Sequence, residues 1–199
     1  MHGYVIRDGR SQGSAAFVAT RGGTFSRASY NPPVAPVNNV TRLLDVRGVE
    51  YEVFILPPRK LSAQETAVIL GTTLDAVLKT IVVIREPSRR PLLVLVAGDA
   101  QVDLKKTALA IGEKKVRLPT EREAQTVTGL EAGGISPLAL LNKGFRVLID
   151  RSTGKHPWVH VSGGQRGLNI RLRVDDLAHL TAAEFADVSK PLPILQDDV

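Results

Sequence analysis

Two short apolar runs, residues 77–84 and 92–97, flank a polar segment bearing Pro87 and Pro91, and they constrain the fold more than any other feature. Both runs are rich in β-branched residues and too short for an ordinary core helix, so they read as a hairpin of buried strands. A strand that is apolar on both faces has to be covered on both, which calls for further layers of structure above and below it. Alternation puts Lys79 on the face of Val77, Ile81 and Val83, opposite Leu78, Thr80, Val82 and Ile84. Lys79 thus has no evidently wet face. A buried ammonium needs an anion, a polar cavity or a lowered pKa. The alternative is a lysine that snorkels from the strand's start or guards an edge.

Around the hairpin, residues 41–47 read as a short amphipathic helix closed by Gly48, and residues 51–56 as a strand stopped by Pro57-Pro58. Ser62-Ala63-Gln64-Glu65 and Thr120-Glu121-Arg122-Glu123 are capping boxes, opening helices that Gly71 and Gly129 can close. Between them, residues 103–111 read as a helix with an Asp cap and 115–118 as a short strand. Residues 130–137 read as a glycine-rich loop, and 145–149, 158–161 and 168–173 as three more strands. Thr181-Ala182-Ala183-Glu184 is read as the cap of a closing helix, with Pro191 and Pro193 marking the end. Strands interleave with helices, and hairpins outnumber clean βαβ units. The expectation is an α+β single domain around a mixed, mostly antiparallel sheet.

Residues 1–39 have no sustained apolar period and carry four Arg against one Asp. They read as a disordered extension or tag, ending in a Pro-rich linker, with 40–190 as the domain and 191–199 as a C-terminal tail. An Arg-rich, acid-poor composition is also that of a transit peptide, whereas the h-region of a signal peptide is missing. The 199 residues hold no Cys, which excludes disulfides, thiolate nucleophiles and Cys-ligated zinc and fits a reducing compartment. No apolar run is long enough for a membrane helix. Half of the net charge of +6 lies in residues 1–39, so charge argues only weakly for a polyanionic partner.

Besides Lys79, three features could carry chemistry. Gly133-Gly134-Ile135-Ser136-Pro137 can turn successive backbone N–H groups into one concavity, or be a plain turn. Ser162-Gly163-Gly164-Gln165-Arg166-Gly167 is either a β-turn or a second wall of the same pocket, with Arg166 as a forked donor. Lys105, Lys106, Lys114, Lys115 and Arg117, with the loop of Arg85, Arg89 and Arg90, form either a solvated face or a phosphate contact. His2, His156, His160 and His179 have no metal-ligand spacing, and no triad can be assembled. His160, near the second glycine turn, stays a candidate.

Val77-Leu78-Lys79-Thr80, Gly133-Gly134-Ile135-Ser136-Pro137-Leu138 and Val161-Ser162-Gly163-Gly164-Gln165-Arg166-Gly167-Leu168, in this order, resemble the YbaK/prolyl-tRNA synthetase editing-domain family. Val102-Asp103-Leu104-Lys105-Lys106 and Gly112-Glu113-Lys114-Lys115-Val116 resemble its intervening stretch, so the likeness spans about residues 40–190. It implies a curved, barrel-like sheet flanked by helices and a cytoplasmic, cofactor-free aminoacyl-tRNA deacylase. Such enzymes act free-standing or as a synthetase insertion and remove Cys or Ala wrongly attached to tRNA for proline. It further implies that Lys79 orients the aminoacyl-adenosine end, that Gly133 and Gly134 donate amides to the scissile carbonyl, and that Ile135 and Ser136 line the pocket. Ser162, Gly163, Gly164, Arg166, Asn169 and His160 would complete it, and the Cys-specific branch draws assistance from the substrate's own thiol. Cys-specific members have Asp at the position of Asn169 and Tyr near that of Leu56, while Gln165 stands for a common Lys; these departures bear on which amino acid is taken. Two alternatives stay open: a non-catalytic module that holds aminoacyl-tRNA or a nucleotide for a partner synthetase, and a hydrolase of small amino-acid esters.

Overall fold

The computed structural model describes residues 4–7, 37–86, 88 and 90–193. His2, Arg89 and residues 194–199 lie outside the described residues. In chain order the elements are β1 (Tyr4–Arg7), α1 (Asn39–Arg47), β2 (Tyr51–Ile55), α2 (Ala63–Leu70), β3 (Leu78–Glu86), β4 (Pro91–Ala97), β5 (Ala100–Val102) and α3 (Leu104–Ala110). There follow β6 (Lys115–Arg117), α4 (Glu121–Thr128), β7 (Arg146–Asp150), β8 (Trp158–Ser162), β9 (Leu168–Arg173), α5 (Val174–Thr181), β10 (Glu184–Ala186) and β11 (Ser189–Pro191). Short 3-10 turns occupy Leu74–Ala76, Leu138–Lys143 and Arg151–Lys155.

The apolar hairpin forms as its sequence demands, with β3 and β4 antiparallel from Leu78↔Ala97 to Ile84↔Pro91. It lies inside a five-stranded sheet of order β10-β7-β4-β3-β6, in which β4–β7 and β7–β10 are parallel. A second sheet has the order β1-β2-β9-β8, all antiparallel, and β11 pairs with β5 alone. Both faces of the hairpin are covered. Leu78, Val82, Leu93 and Leu95 pack into one core with Val159, Ile170 and Leu177, while Val83, Leu92, Val94 and Val96 pack into another with Ala108, Val116 and Val188.

Both capping boxes are present. Ser62 Oγ accepts from Glu65 N at 3.1 Å while Glu65 Oε2 accepts from Ser62 N at 2.8 Å, and Thr120 and Glu123 make the same exchange. Two expectations are corrected. Among the described residues the sheets do not close into a barrel, and only an isolated parallel bridge, Val77↔His160, links β3's start to β8. Thr181 opens no helix. Its Oγ1 donates to Leu177 O at 2.7 Å, so it ends α5, and Glu184 enters β10 beside β7, gripped by Arg146 at 3.0 and 2.9 Å. Of the segment before residue 40, Tyr4–Arg7 forms β1 against β2, and residues 1–3 and 8–36 lie outside the described residues. Asn38 caps α1 and its Nδ2 donates to Gly163 O at 2.8 Å. Among the described residues, no helix is long and apolar enough to cross a membrane.

Candidate functional site

The site is set by an interruption in pairing. One edge of β3 is fully paired with β4, but on the other edge β6 reaches only Ile84–Glu86 and β8 touches only Val77. Between these points β3's edge faces a cavity of about 470 Å³, a size suited to a small-molecule ligand. That explains why consecutive residues from Val77 to Val82 line it although their side chains alternate. The cavity also takes in Leu56, Gly133, Ile135, Ser162 and Asn169 from other elements.

Lys79 is half-buried in this wall. Its ammonium donates to Gly98 O at 3.0 Å, in the turn between β4 and β5, and, in a shorter contact, to Ala100 O at the start of β5. Burial lowers its pKa below the ordinary lysine value, and the Asp99 carboxylate in that same turn opposes the shift. An ammonium has three N–H donors, so one remains for a ligand.

The two glycine segments meet at the cavity's rim. Gly133, at φ 88°, adopts a conformation open to glycine at little cost and lies against Lys60. A Cβ on Gly134 would sit 3.1 Å from Arg166 N and from Gln165 C and Cα, so its missing side chain lets the segments touch. Gly134 N–H is already spent on Glu131 O at 2.8 Å, and Gly163 N–H on Leu168 O at 2.8 Å. Arg166 staples the segments together: its Nε donates to Ala132 O at 2.8 Å and lies 3.4 Å from Glu131.

Of the residues expected at the site, the structure brings Lys79, Gly133, Ile135, Ser162 and Asn169 to the cavity wall. Gly134, Ser136, Gly163, Gly164, Arg166 and His160 do not line it. Ser136 is fully buried with an unpartnered Oγ. His160 is buried too, its Nδ1 2.9 Å from Asn169 Oδ1, and burial lowers its pKa. None of Lys105, Lys106, Lys114, Lys115 and Arg117 lines the cavity. Lys106 pairs with Asp187, Lys115 with Glu86, and Arg117 with both Glu86 and Glu123, so most of this set is matched locally.

Sequence reasoning missed several contributors. Thr80 Oγ1 is buried without a partner in the wall, and Glu121 stands at the mouth paired with Lys60 at 2.9 Å. Arg59 lies at the same mouth, 2.7 Å from Glu65. The Gly98-Asp99 turn and the start of β5 that grip Lys79 were missed as well, and only the Gly98-Asp99 pair after an apolar run hinted at them. Among the described residues, no cluster of three or more His, Asp or Glu is arranged to hold a metal ion. A half-sequestered cation, an open strand edge and a main-chain rim can bind a polar ligand and stabilise a developing oxyanion.

A family model described as "Aminoacyl-tRNA editing domain" matches residues 57–180. The chain is 29% identical over 153 residues to a protein of Enterococcus faecalis (strain ATCC 700802 / V583) named "Putative Cys-tRNA(Pro)/Cys-tRNA(Cys) deacylase EbsC"; the match covers 76% of this chain and 92% of that relative. Among solved structures it is similar to hypothetical protein APE2540, with a TM-score of 0.71 and 25% identity over 77% of this chain and 100% of that one. It is likewise similar to "a putative trans-editing enzyme for prolyl tRNA synthetase", with a TM-score of 0.66 and 26% identity over 78% of this chain and 99% of that one.

Proposed function

The chain belongs to the aminoacyl-tRNA editing domain family, and from that premise we propose that it acts in trans as a deacylase of mischarged aminoacyl-tRNA, with Cys or Ala on tRNA for proline as the substrate class. The observation that carries the reading is the anchored Lys79 ammonium sharing one cavity with Gly133 and the open edge of β3.

In this reading the aminoacyl-adenosine end enters past Arg59 and Lys60, and Lys79 uses its remaining N–H to orient it. Water attacks the ester carbonyl carbon. The oxyanion that forms is met by main-chain donors at Gly133 and along β3, a preorganised set that needs no reorganisation as charge develops. The bond to the ribose oxygen then breaks, that oxygen takes up the proton lost by the water, and the free amino acid leaves. An activated ester, held in place, does not require a catalytic triad. Asn169 and Leu56 both line the cavity, so the two departures from the Cys-specific pattern fall where an amino-acid side chain would be sensed. The names of the relatives support tRNA for proline as the first substrate to try.

The test is a panel of tRNA for proline carrying Cys, Ala or Ser. Release of at least one amino acid at micromolar enzyme is expected. Tight binding of charged and uncharged tRNA with no turnover would instead favour a non-catalytic module serving a synthetase. Turnover of small esters with no dependence on tRNA or salt would favour a simple esterase.

A further inference from the structure

Asn169 is a polar side chain only 5% exposed, set on β9 directly across from Phe54 on β2 and Ser162 on β8. Its Oδ1 lies 2.9 Å from Nδ1 of His160, which sits diagonally across on β8 and is 4% exposed. The Phe54 ring meets the His160 ring edge-on, with centroids 5.2 Å apart. The imidazole is thus fixed on two sides, and its freedom to rotate is small. An amide oxygen has only lone pairs to offer, so in this contact the proton belongs to Nδ1 and histidine is the donor. The Asn169 amide nitrogen then points the other way. It has no partner among the described residues, and the open space beside Asn169 is the cavity. That nitrogen is not sealed off among the buried unpartnered atoms, so it opens on the cavity, where a ligand acceptor can complete its hydrogen bonding.

We propose that His160 is a positioning residue that locks the Asn169 carboxamide with its two N–H donors facing the cavity. The wall there selects an uncharged oxygen acceptor on the aminoacyl-adenosine end. A carboxylate at the same place would offer only acceptors and select a donor. The identity of the ligand rests on the editing function proposed above; the orientation of the carboxamide does not.

The experiment has one arm for each part. Long-range proton–nitrogen NMR on the full chain, labelled with ¹⁵N, reads the His160 tautomer near neutral pH. The Nδ1–H form is expected. The Nε2–H form would overturn the proposal, because His160 would then be accepting from Asn169 and the carboxamide oxygen would face the cavity. This arm stands whether or not the chain has deacylase activity.

The second arm compares kcat/KM on Ala-charged tRNA for proline. His160→Phe should lose about tenfold, the cost of one positioned hydrogen bond, and His160→Gln, which can still donate to Asn169, should stay within about threefold of the wild type. Equal losses in both, or none in either, would contradict positioning. If His160→Phe does not fold, Asn169→Asp decides. The new carboxylate should raise the His160 pKa from its lowered value, with Glu52 acting in the same direction and Arg171 against it. An unchanged titration would mean that the contact is not made.

Discussion

Replacing Gly98 by alanine perturbs the site without touching a ligand-facing side chain. The added Cβ would sit 2.5 Å from Leu74 O, 2.6 Å from Leu74 Cδ1 and 3.0 Å from Ala63 Cβ. The leucine side chain can rotate away, but the carbonyl cannot, since it accepts Gly98 N–H at 3.2 Å and belongs to the turn that leads into β3. Reaching an ordinary carbon–oxygen contact of roughly 3.3 Å requires the two backbones to separate by about 0.8 Å. That movement weakens the hydrogen bond, worth about 1 kcal/mol, and adds an overpacking cost of about 2 kcal/mol. The expected loss is about 3 kcal/mol, or roughly 9 °C in Tm for a chain of this size. Gly98 O is also one of the two carbonyls that hold the Lys79 ammonium, so the displacement should reach the site. The assays are a thermal melt followed by single-turnover deacylation well below the variant's Tm, where a loss of about tenfold is expected from a misplacement of this size. A Gly98→Ala protein that melts within about 2 °C of the wild type at full rate would refute the close approach and its link to Lys79.

Asp150 is buried at the end of β7, with Oδ1 accepting from Ser152 N and Oγ and Oδ2 accepting from Val188 N at 3.0 Å. Burial pushes its pKa up, but these donors outweigh it and hold the pKa below the usual aspartate value, so its stabilisation is complete above that ordinary value and disappears as pH falls through the lowered one. Asp150→Asn should cost about 2 kcal/mol at pH 7 and flatten the acid limb of a urea-melt pH series; an unchanged limb would count against this assignment. Salt titration of tRNA binding separates the cationic candidates. Lys60→Gln, at the cavity mouth, should reduce the slope of log Kd against log salt by about one, while Lys115→Gln and Arg117→Gln, which do not line the cavity, should leave it unchanged. The reverse pattern would move the tRNA footprint to β6.

Much of the fold was legible because local chemistry and tertiary demand agree. The apolar hairpin, both capping boxes and the alternation of Leu168, Ile170 and Leu172 each specify one answer. What escaped was decided by distant partners. Thr181 carries a good capping pattern, yet a slot beside β7 and the Arg146 guanidinium draw Glu184 into a strand. α5 starts at Val174 behind Arg173, which makes no side-chain cap, so only the acidic Asp175 and Asp176 mark its first turn.

The site divides in the same way. Lys79 stood out because a charge inside an apolar strand has to be accounted for; burial and snorkelling both stayed open in the sequence, and the half-buried ammonium held by two carbonyls is what the fold decides. The glycine segments were legible as a rim, but that Gly134 and Gly163 spend their N–H groups internally and that β6 leaves part of the β3 edge unpaired were not. An unpaired strand edge depends on which strands fail to arrive beside it, and a sequence pattern does not record that.

The most direct test of the account is the single-turnover rate of Lys79→Ala on Ala- and Cys-charged tRNA for proline, measured beside its thermal melt. The expected result is a loss of about 10²–10³ in rate, with Tm close to that of the wild type. A wild-type rate from a protein lacking this ammonium would contradict the central claim.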